Sequence, residues 1–220
     1  MKLPLPEVRG GRVLGDWVAR TLREAILQGH FKPGEKIDQD LIAQELDVSR
    51  TPIREALRVL EAEGFVEIRA HRGAYVATVT QKEIREIYEL RALIEAEMVR
   101  QVTPVIPDEV LDRLGRRLEA VQEPVEHVES DIRLHETIAK YSENELLKEI
   151  LSSLNQRIAR VRRFAQLQPG YHLLQSHKEH REIVQAMRER DGERAAALMT
   201  RHLKESAERI QELRDTVEAR

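Results

Sequence analysis

Asp47-Val48-Ser49-Arg50-Thr51-Pro52-Ile53-Arg54-Glu55-Ala56-Leu57 decides how the first third of the chain folds. Asp47-Val48-Ser49 interrupts one helical pattern and opens another, and Ser49 is a good N-cap residue. Pro52 falls in the first turn, where its missing N–H costs nothing. Ile53, Ala56, Leu57 and Leu60 then repeat at helical spacing as an inner face, and Gly64 ends the helix. Arg50, Arg54 and Arg58 lie one turn apart on the opposite side.

Working outward, a helix is expected over 15–28, with Trp17, Val18, Leu22 and Ile26 apolar and Gly29 as its stop. Phe31–Glu35 reads as a turn and 39–46 as a short helix. After Gly64 the period changes. Phe65-Val66-Glu67-Ile68-Arg69 alternates like a strand, Ala70–Gly73 turns, and Ala74–Ala77 is a second strand. Three helices followed by a β-hairpin is the winged helix-turn-helix plan, assigned to residues 1–80, with 1–11 as a loose arm. From residue 81 to 220 six helices are expected, at 81–101, 107–122, 125–141, 144–167, 171–190 and 193–216. Ser142–Glu145 fits a capping box opening the fourth of them. Long helices with short links imply an antiparallel six-helix bundle, so the fold class is mostly α.

The hydrophobic share of 41% suits globular cores, and the absence of cysteine excludes disulfides and thiolate metal sites. No apolar run approaches the ~20 residues of a membrane span. There is no signal-peptide pattern, so a soluble cytoplasmic protein is expected. The net charge is -3, and residues 1–80 carry equal numbers of acidic and basic groups. Nucleic-acid binding must therefore come from a local basic face.

The bundle half carries a second signal. His180 and His202 lie eleven residues before and after Asp191, at the tight turn Asp191-Gly192. Two antiparallel helices folded there bring both imidazoles to one level, about 16 Å from the bend. Asp131 and His135, four apart, share a face of another helix. One carboxylate and three imidazoles suit Zn²⁺, with Ni²⁺ or Mn²⁺ as alternatives, and leave positions open on an octahedral ion. A small carboxylic acid would fit such a position. Arg91 could assist it, or make a surface salt bridge to Glu95. His30, His127, His172 and His177 are read as non-ligands.

The string Asp47–Leu57, with Pro33-Gly34 before it and Leu60–Val66 after it, resembles the recognition-helix signature of the GntR family of bacterial regulators over about residues 12–78. The resemblance implies base contacts from Arg50 and Arg54, base or phosphate contacts from Ser49 and Thr51, and wing contacts from Arg72, Gly73 and, more weakly, His71. Glu89–Glu95, Asp131–Ile138, Glu179–Val184 and Ala196–Leu203 resemble the FCD ligand-binding domain of the fatty-acid-regulator branch. Six helices look more like its shorter, vanillate-regulator subgroup. That likeness implies a metal held by Asp131, His135, His180 and His202.

The reading is a metabolite-responsive DNA-binding regulator, a repressor by resemblance. It would act as a homodimer on a pseudo-palindromic operator in double-stranded DNA, with a small carboxylate as effector, and would not be an enzyme. Two other functions fit parts of the pattern. One is a metal-dependent hydrolase or isomerase using the Asp/His site. The other is an architectural DNA-binding dimer whose metal only stiffens the bundle.

Overall fold

A computed structural model describes the backbone of residues 11–120, 124–168, 171 and 174–218, and the side chains of 14–120, 132–168, 171 and 175–216. The expected arm at 1–11 lies outside these residues except for Gly11, as do His172 and the side chains of His127 and Asp131. By its contacts the chain divides into two units, Met1–Val79 with Gln156–Arg163, and Thr80–Asn155 with Phe164–Arg220.

The first unit runs α1 (Gly11–Leu27), β1 (Lys36–Ile37), α2 (Gln39–Glu45), α3 (Arg50–Ala62), β2 (Val66–Arg69) and β3 (Gly73–Val76). Its core forms where the inner face of α3 meets α1. Ile53, Ala56, Leu57 and Leu60 are buried with Val18, Leu22 and Phe65. Asp38 caps α2 by accepting from the Asp40 and Leu41 amides at 3.0 and 3.1 Å. The hairpin pairs Val66 with Val76 and Arg69 with Gly73.

Two details differ from the sequence reading. The sheet has three strands in the order β1-β3-β2, not two. β1 is only two residues long, too short to show alternation, and is formed when the turn before it folds back on β3. Ser49 occupies the N-cap position of α3 with extended backbone, but its hydroxyl makes no capping bond.

The second unit holds α4 (Gln81–Val102), α5 (Asp108–Ala120), α6 (Pro124–Tyr141), most of α7 (Glu145–Gln166), α8 (Leu174–Arg188) and α9 (Gly192–Glu218). α4 lies along α9, α9 along α8 and α8 along α5, while α6 packs on α4 and α8. Among the described residues no helix is long and apolar enough to cross a membrane. The capping box expected at Ser142 is displaced. Asn144 is the cap, its Oδ1 accepting from the Leu147 amide at 3.1 Å, and the Ser142 hydroxyl only accepts from Asn144 N–H at 3.3 Å. Ser142 sits too far from the first turn because α7 begins at Glu145.

The turn between α8 and α9 is built for a tight reversal. Arg190 adopts φ 59, and Asp191 caps α9 by accepting from the Arg194 amide at 3.0 Å. Arg190 Nη1 donates to the carbonyls of Thr103 and Ile106, both at 2.7 Å, which pins the turn to the end of α4. A Cβ on Gly192 would stand 3.1 Å from the Arg100 carbonyl oxygen, so glycine permits the approach of α9 to α4.

Burial separates the two faces of α3 energetically. Ile53→Ala is expected to lower the unfolding free energy of the first unit by about 2–5 kcal/mol in urea titration, because Ile53 is wholly buried. Arg54→Ala, on the exposed face, is expected to stay within about 0.5 kcal/mol of the parent.

Candidate functional site

Three imidazoles from three helices meet inside the second unit. α6 brings His135, α8 His180 and α9 His202. The level crossing about Asp191 is realised, with His180 Nε2 3.1 Å from His202 Nε2. Ring centroids are separated by 4.4 Å for His180–His202, 5.2 Å for His135–His180 and 5.5 Å for His135–His202. One nitrogen from each ring lies within 4.8 Å of the others, and all three residues are buried. Asp131 stands one turn before His135 in the backbone of α6.

Each of two rings is backed by a buried carboxylate. Glu95 on α4 takes the Nδ1 side of His135 on one oxygen and Arg91 Nε on the other, at 2.6 Å. Glu179 on α8 takes Nδ1 of His202 at 2.6 Å and is gripped by Arg209 through two bonds of 3.0 Å. Arg209 also donates to the hydroxyls of Ser176 and Ser206, at 3.3 and 2.9 Å. The centre thus has two Arg–Glu–His chains, one anchored on α4 and one joining α8 to α9. Burial alone would raise the Glu95 carboxyl, but Arg91 and His135 beside it outweigh that and hold it well below the usual glutamate range.

An ionised carboxylate at Nδ1 favours the tautomer that carries its proton there, leaving the Nε2 lone pair free. In that tautomer the His202 Nε2 lone pair faces the nitrogen of His180. Such an arrangement needs a proton or a cation between the rings. The 3.1 Å spacing is also that of two ligands sharing one ion at metal–nitrogen bonds of roughly 2.0–2.1 Å. Neutral imidazoles with carboxylate partners behind them are a donor set that fits a borderline divalent metal.

Arg91 pairs with Glu95 as one reading of the sequence had it, but in the core, each side chain only 3% exposed, rather than on the surface. Helical spacing explains this. Ile84, Tyr88, Arg91, Glu95, Met98 and Val102 form the buried seam of α4, so both ions are carried inward. Glu95, Glu179 and Arg209 were not singled out from the sequence. The signal available was a charged pair at core-facing positions of an otherwise apolar seam, and Glu179 immediately before His180. His177, read as a non-ligand, is buried but does not belong to the three-nitrogen cluster.

In the first unit, Ser49, Arg50, Thr51 and Arg54 are all exposed at the start of α3. With no capping bond to make, the Ser49 hydroxyl is available to an outside partner. Arg50 forms an ion pair with Asp40 of α2, and both side chains are more than half exposed. Such a pair contributes little and is readily exchanged for a phosphate or base. Arg54 forms no ion pair among the described residues. At the wing tip His71 and Gly73 adopt positive φ, 59 and 101, and Arg72 is exposed. Tyr75 donates to the Arg72 carbonyl at 3.3 Å, and its ring carries the Arg69 guanidinium at 4.4 Å, so the wing is braced from β3.

A winged helix-turn-helix carrying exposed arginines, joined in one chain to a helical unit with a buried histidine centre, defines a DNA-binding regulator of the sensor type. Residues 14–76 match the model of bacterial regulatory proteins of the gntR family, and residues 86–205 match the FCD domain. The chain belongs to the GntR family, in its FCD-containing branch, and is a transcriptional regulator, not an enzyme. It is 31% identical to the HTH-type transcriptional regulator YdhC of Bacillus subtilis, over 86% of this chain and 87% of that one. It is 27% identical to the HTH-type transcriptional repressor RspR of Escherichia coli, over 90% and 89%. A crystal structure of a GntR transcriptional regulator from Rhodococcus sp. RHA1 superposes with a TM-score of 0.72 at 26% identity, covering 89% of this chain and 96% of that one.

The buried ion pair on α4 sets up a double-mutant test. Arg91→Met leaves Glu95 charged and half-abandoned in the core, and is expected to cost about 3–5 kcal/mol in chemical denaturation. Adding Glu95→Gln should recover a substantial part of that loss, whereas additive losses in the double variant would mean the two side chains do not depend on each other.

Proposed function

We propose that this chain is a metabolite-responsive repressor whose C-terminal unit holds a divalent metal, zinc first among the candidates, and whose N-terminal unit reads an operator. The observation that carries the reading is the convergence of His135, His180 and His202 with carboxylates behind two of them. Asp131, one turn from His135, is the fourth ligand in this proposal. A bound metal would supply a Lewis-acidic position for a small carboxylate effector. Glu95 and Glu179 orient the rings that face it, and Arg91 and Arg209 keep those carboxylates ionised and in place. Arg91 is thereby engaged first with Glu95, and any contact with the effector would come from the rest of its guanidinium. The sign of regulation follows the relative named as a repressor.

Response to a metabolite requires that the effector bind one arrangement of the bundle better than another. The centre is assembled from side chains of α4, α6, α8 and α9, so occupancy bears on all four helices at once. On the DNA side, a two-fold homodimer would place two copies of α3 in successive major grooves of a pseudo-palindrome. Arg50 and Arg54 would read guanine edges, Ser49 and Thr51 would meet phosphate or base, and His71, Arg72 and Gly73 would follow the wing into the minor groove.

Metal content measured on protein purified without chelator or affinity-tag metal tests the first half. The wild type should carry close to one equivalent, and His180→Ala/His202→Ala, if folded, should carry none. Glu179→Gln should keep the site but weaken metal affinity by about 10–100-fold. No metal in the wild type after incubation with Zn²⁺, Ni²⁺ or Mn²⁺ ends the proposal.

Gel-shift titration tests the second half. Arg54→Ala should weaken operator binding and relax base preference, a loss of about 1–3 kcal/mol if it makes a bidentate guanine contact. Binding should also weaken steeply as salt rises, through counterion release. A flat salt response is incompatible with the docking described.

A further inference from the structure

The side of α6 that faces away from the imidazoles has a chemistry of its own. On a helix with 3.6 residues per turn, Thr137 is rotated about 200° from His135. Thr137, Arg133, Lys140 and Tyr141 form one wall of a cavity of about 210 Å³. The facing wall is α5, which contributes Arg113 and Arg117, one turn apart, over an apolar floor of Val110 and Leu114. The floor residues are 5% and 7% exposed, so they belong to the bundle core, while the four cations stand at the rim.

The charge balance of this groove departs from the rest of the molecule. The chain has a net charge of -3, yet four cationic side chains and no acid line the cavity among the described residues. Neither Arg113 nor Lys140 forms an ion pair with a described residue. The pair that Arg133 makes with Glu136 is long, 3.7 Å, and more than half exposed on both sides, so it neutralises little. Like charges gathered on two facing walls repel, and an anion between them relieves that repulsion. Thr137 and Tyr141 add two hydroxyl donors at the same place.

We propose that the α5–α6 groove is a second ligand site, distinct from the histidine centre, that binds a small phosphate-bearing metabolite. Arginine forks from both walls match the tetrahedral oxygens of a phosphate, which carries up to two charges on one group, whereas a carboxylate presents one charge in a plane. The volume lies below the roughly 300–1,000 Å³ of pockets for drug-sized ligands, so the occupant is a small phosphate ester. Its carbon body would rest on Val110 and Leu114.

Isothermal titration of the full-length, chelator-treated protein with pyrophosphate, at fixed ionic strength, tests this without involving the metal centre. Saturable 1:1 binding is expected. Arg113→Ala/Lys140→Ala removes two exposed side chains and should leave the thermal unfolding curve unchanged. It should also weaken pyrophosphate binding by about tenfold or more. Tricarballylate, a tricarboxylate of similar charge, should bind more weakly than pyrophosphate. Non-saturating heats, equal affinity in the double variant, or tricarballylate binding as tightly as pyrophosphate would each overturn the proposal. So would a double variant that keeps pyrophosphate affinity but loses affinity for DNA, since the groove would then be a nucleic-acid backbone contact.

Discussion

Charge buried in a helical core must be answered by opposite charge, and the second unit of this protein is organised around that constraint. Glu95 and Glu179 lie in the interior, 2% and 3% exposed, where an unpaired carboxylate would be strongly unfavourable. Each is held by an arginine on one side and an imidazole on the other. The rings are therefore fixed by bonds that originate outside the cluster. Their convergence does not need the imidazoles to attract one another, which neutral rings with facing lone pairs would not do.

The two chains are placed differently along the sequence, and the difference matters for signalling. The Arg209–Glu179–His202 chain closes on α8 and α9, two helices already locked by the Asp191 turn and by Arg190. The Arg91–Glu95–His135 chain instead ties α6 to α4. α4 starts at the Thr80 cap, only a few residues after β3 ends the wing. Within the bundle α4 is thus the helix that both supports a ring of the centre and continues directly from the DNA-reading unit in the chain. A change in how Glu95 divides itself between Arg91 and His135 would act on that helix before any other.

Much of this was legible in the sequence, because the relevant signals are local or symmetric. The recognition helix announced itself through Ser49, Pro52 and the spacing of its apolar residues, and the meeting of His180 with His202 through their equal distance from one turn. What escaped was non-local or too short. β1 exists only because a distant strand accepts it, and two residues carry no period. Ser142 and Asn144 both offer capping chemistry, and which one is used depends on where α7 actually begins. The outer carboxylates were visible only as a contradiction. Arg91 and Glu95 fall on the apolar seam of α4, and a sequence cannot say whether such residues turn outward as a surface pair or stay inside with a partner from another helix. The partner, His135, is forty residues away.

The two faces of α6 bring these constraints together. Inward, His135 is committed to Glu95 and to the other two rings; outward, Arg133, Thr137 and Lys140 border a groove whose far wall is α5. α5 in turn packs on α8, the helix that carries His180. A ligand drawing α5 and α6 together would therefore press on two of the three histidine-bearing helices from behind, while one bound at the centre would pull on the same helices from within. Linkage makes any such influence reciprocal, since an equilibrium biased by one site must be biased equally by the other. The physical requirement is only that α6 moves as a rigid unit. Its length and the burial of Leu134 and Ile138 between its two functional faces favour that behaviour.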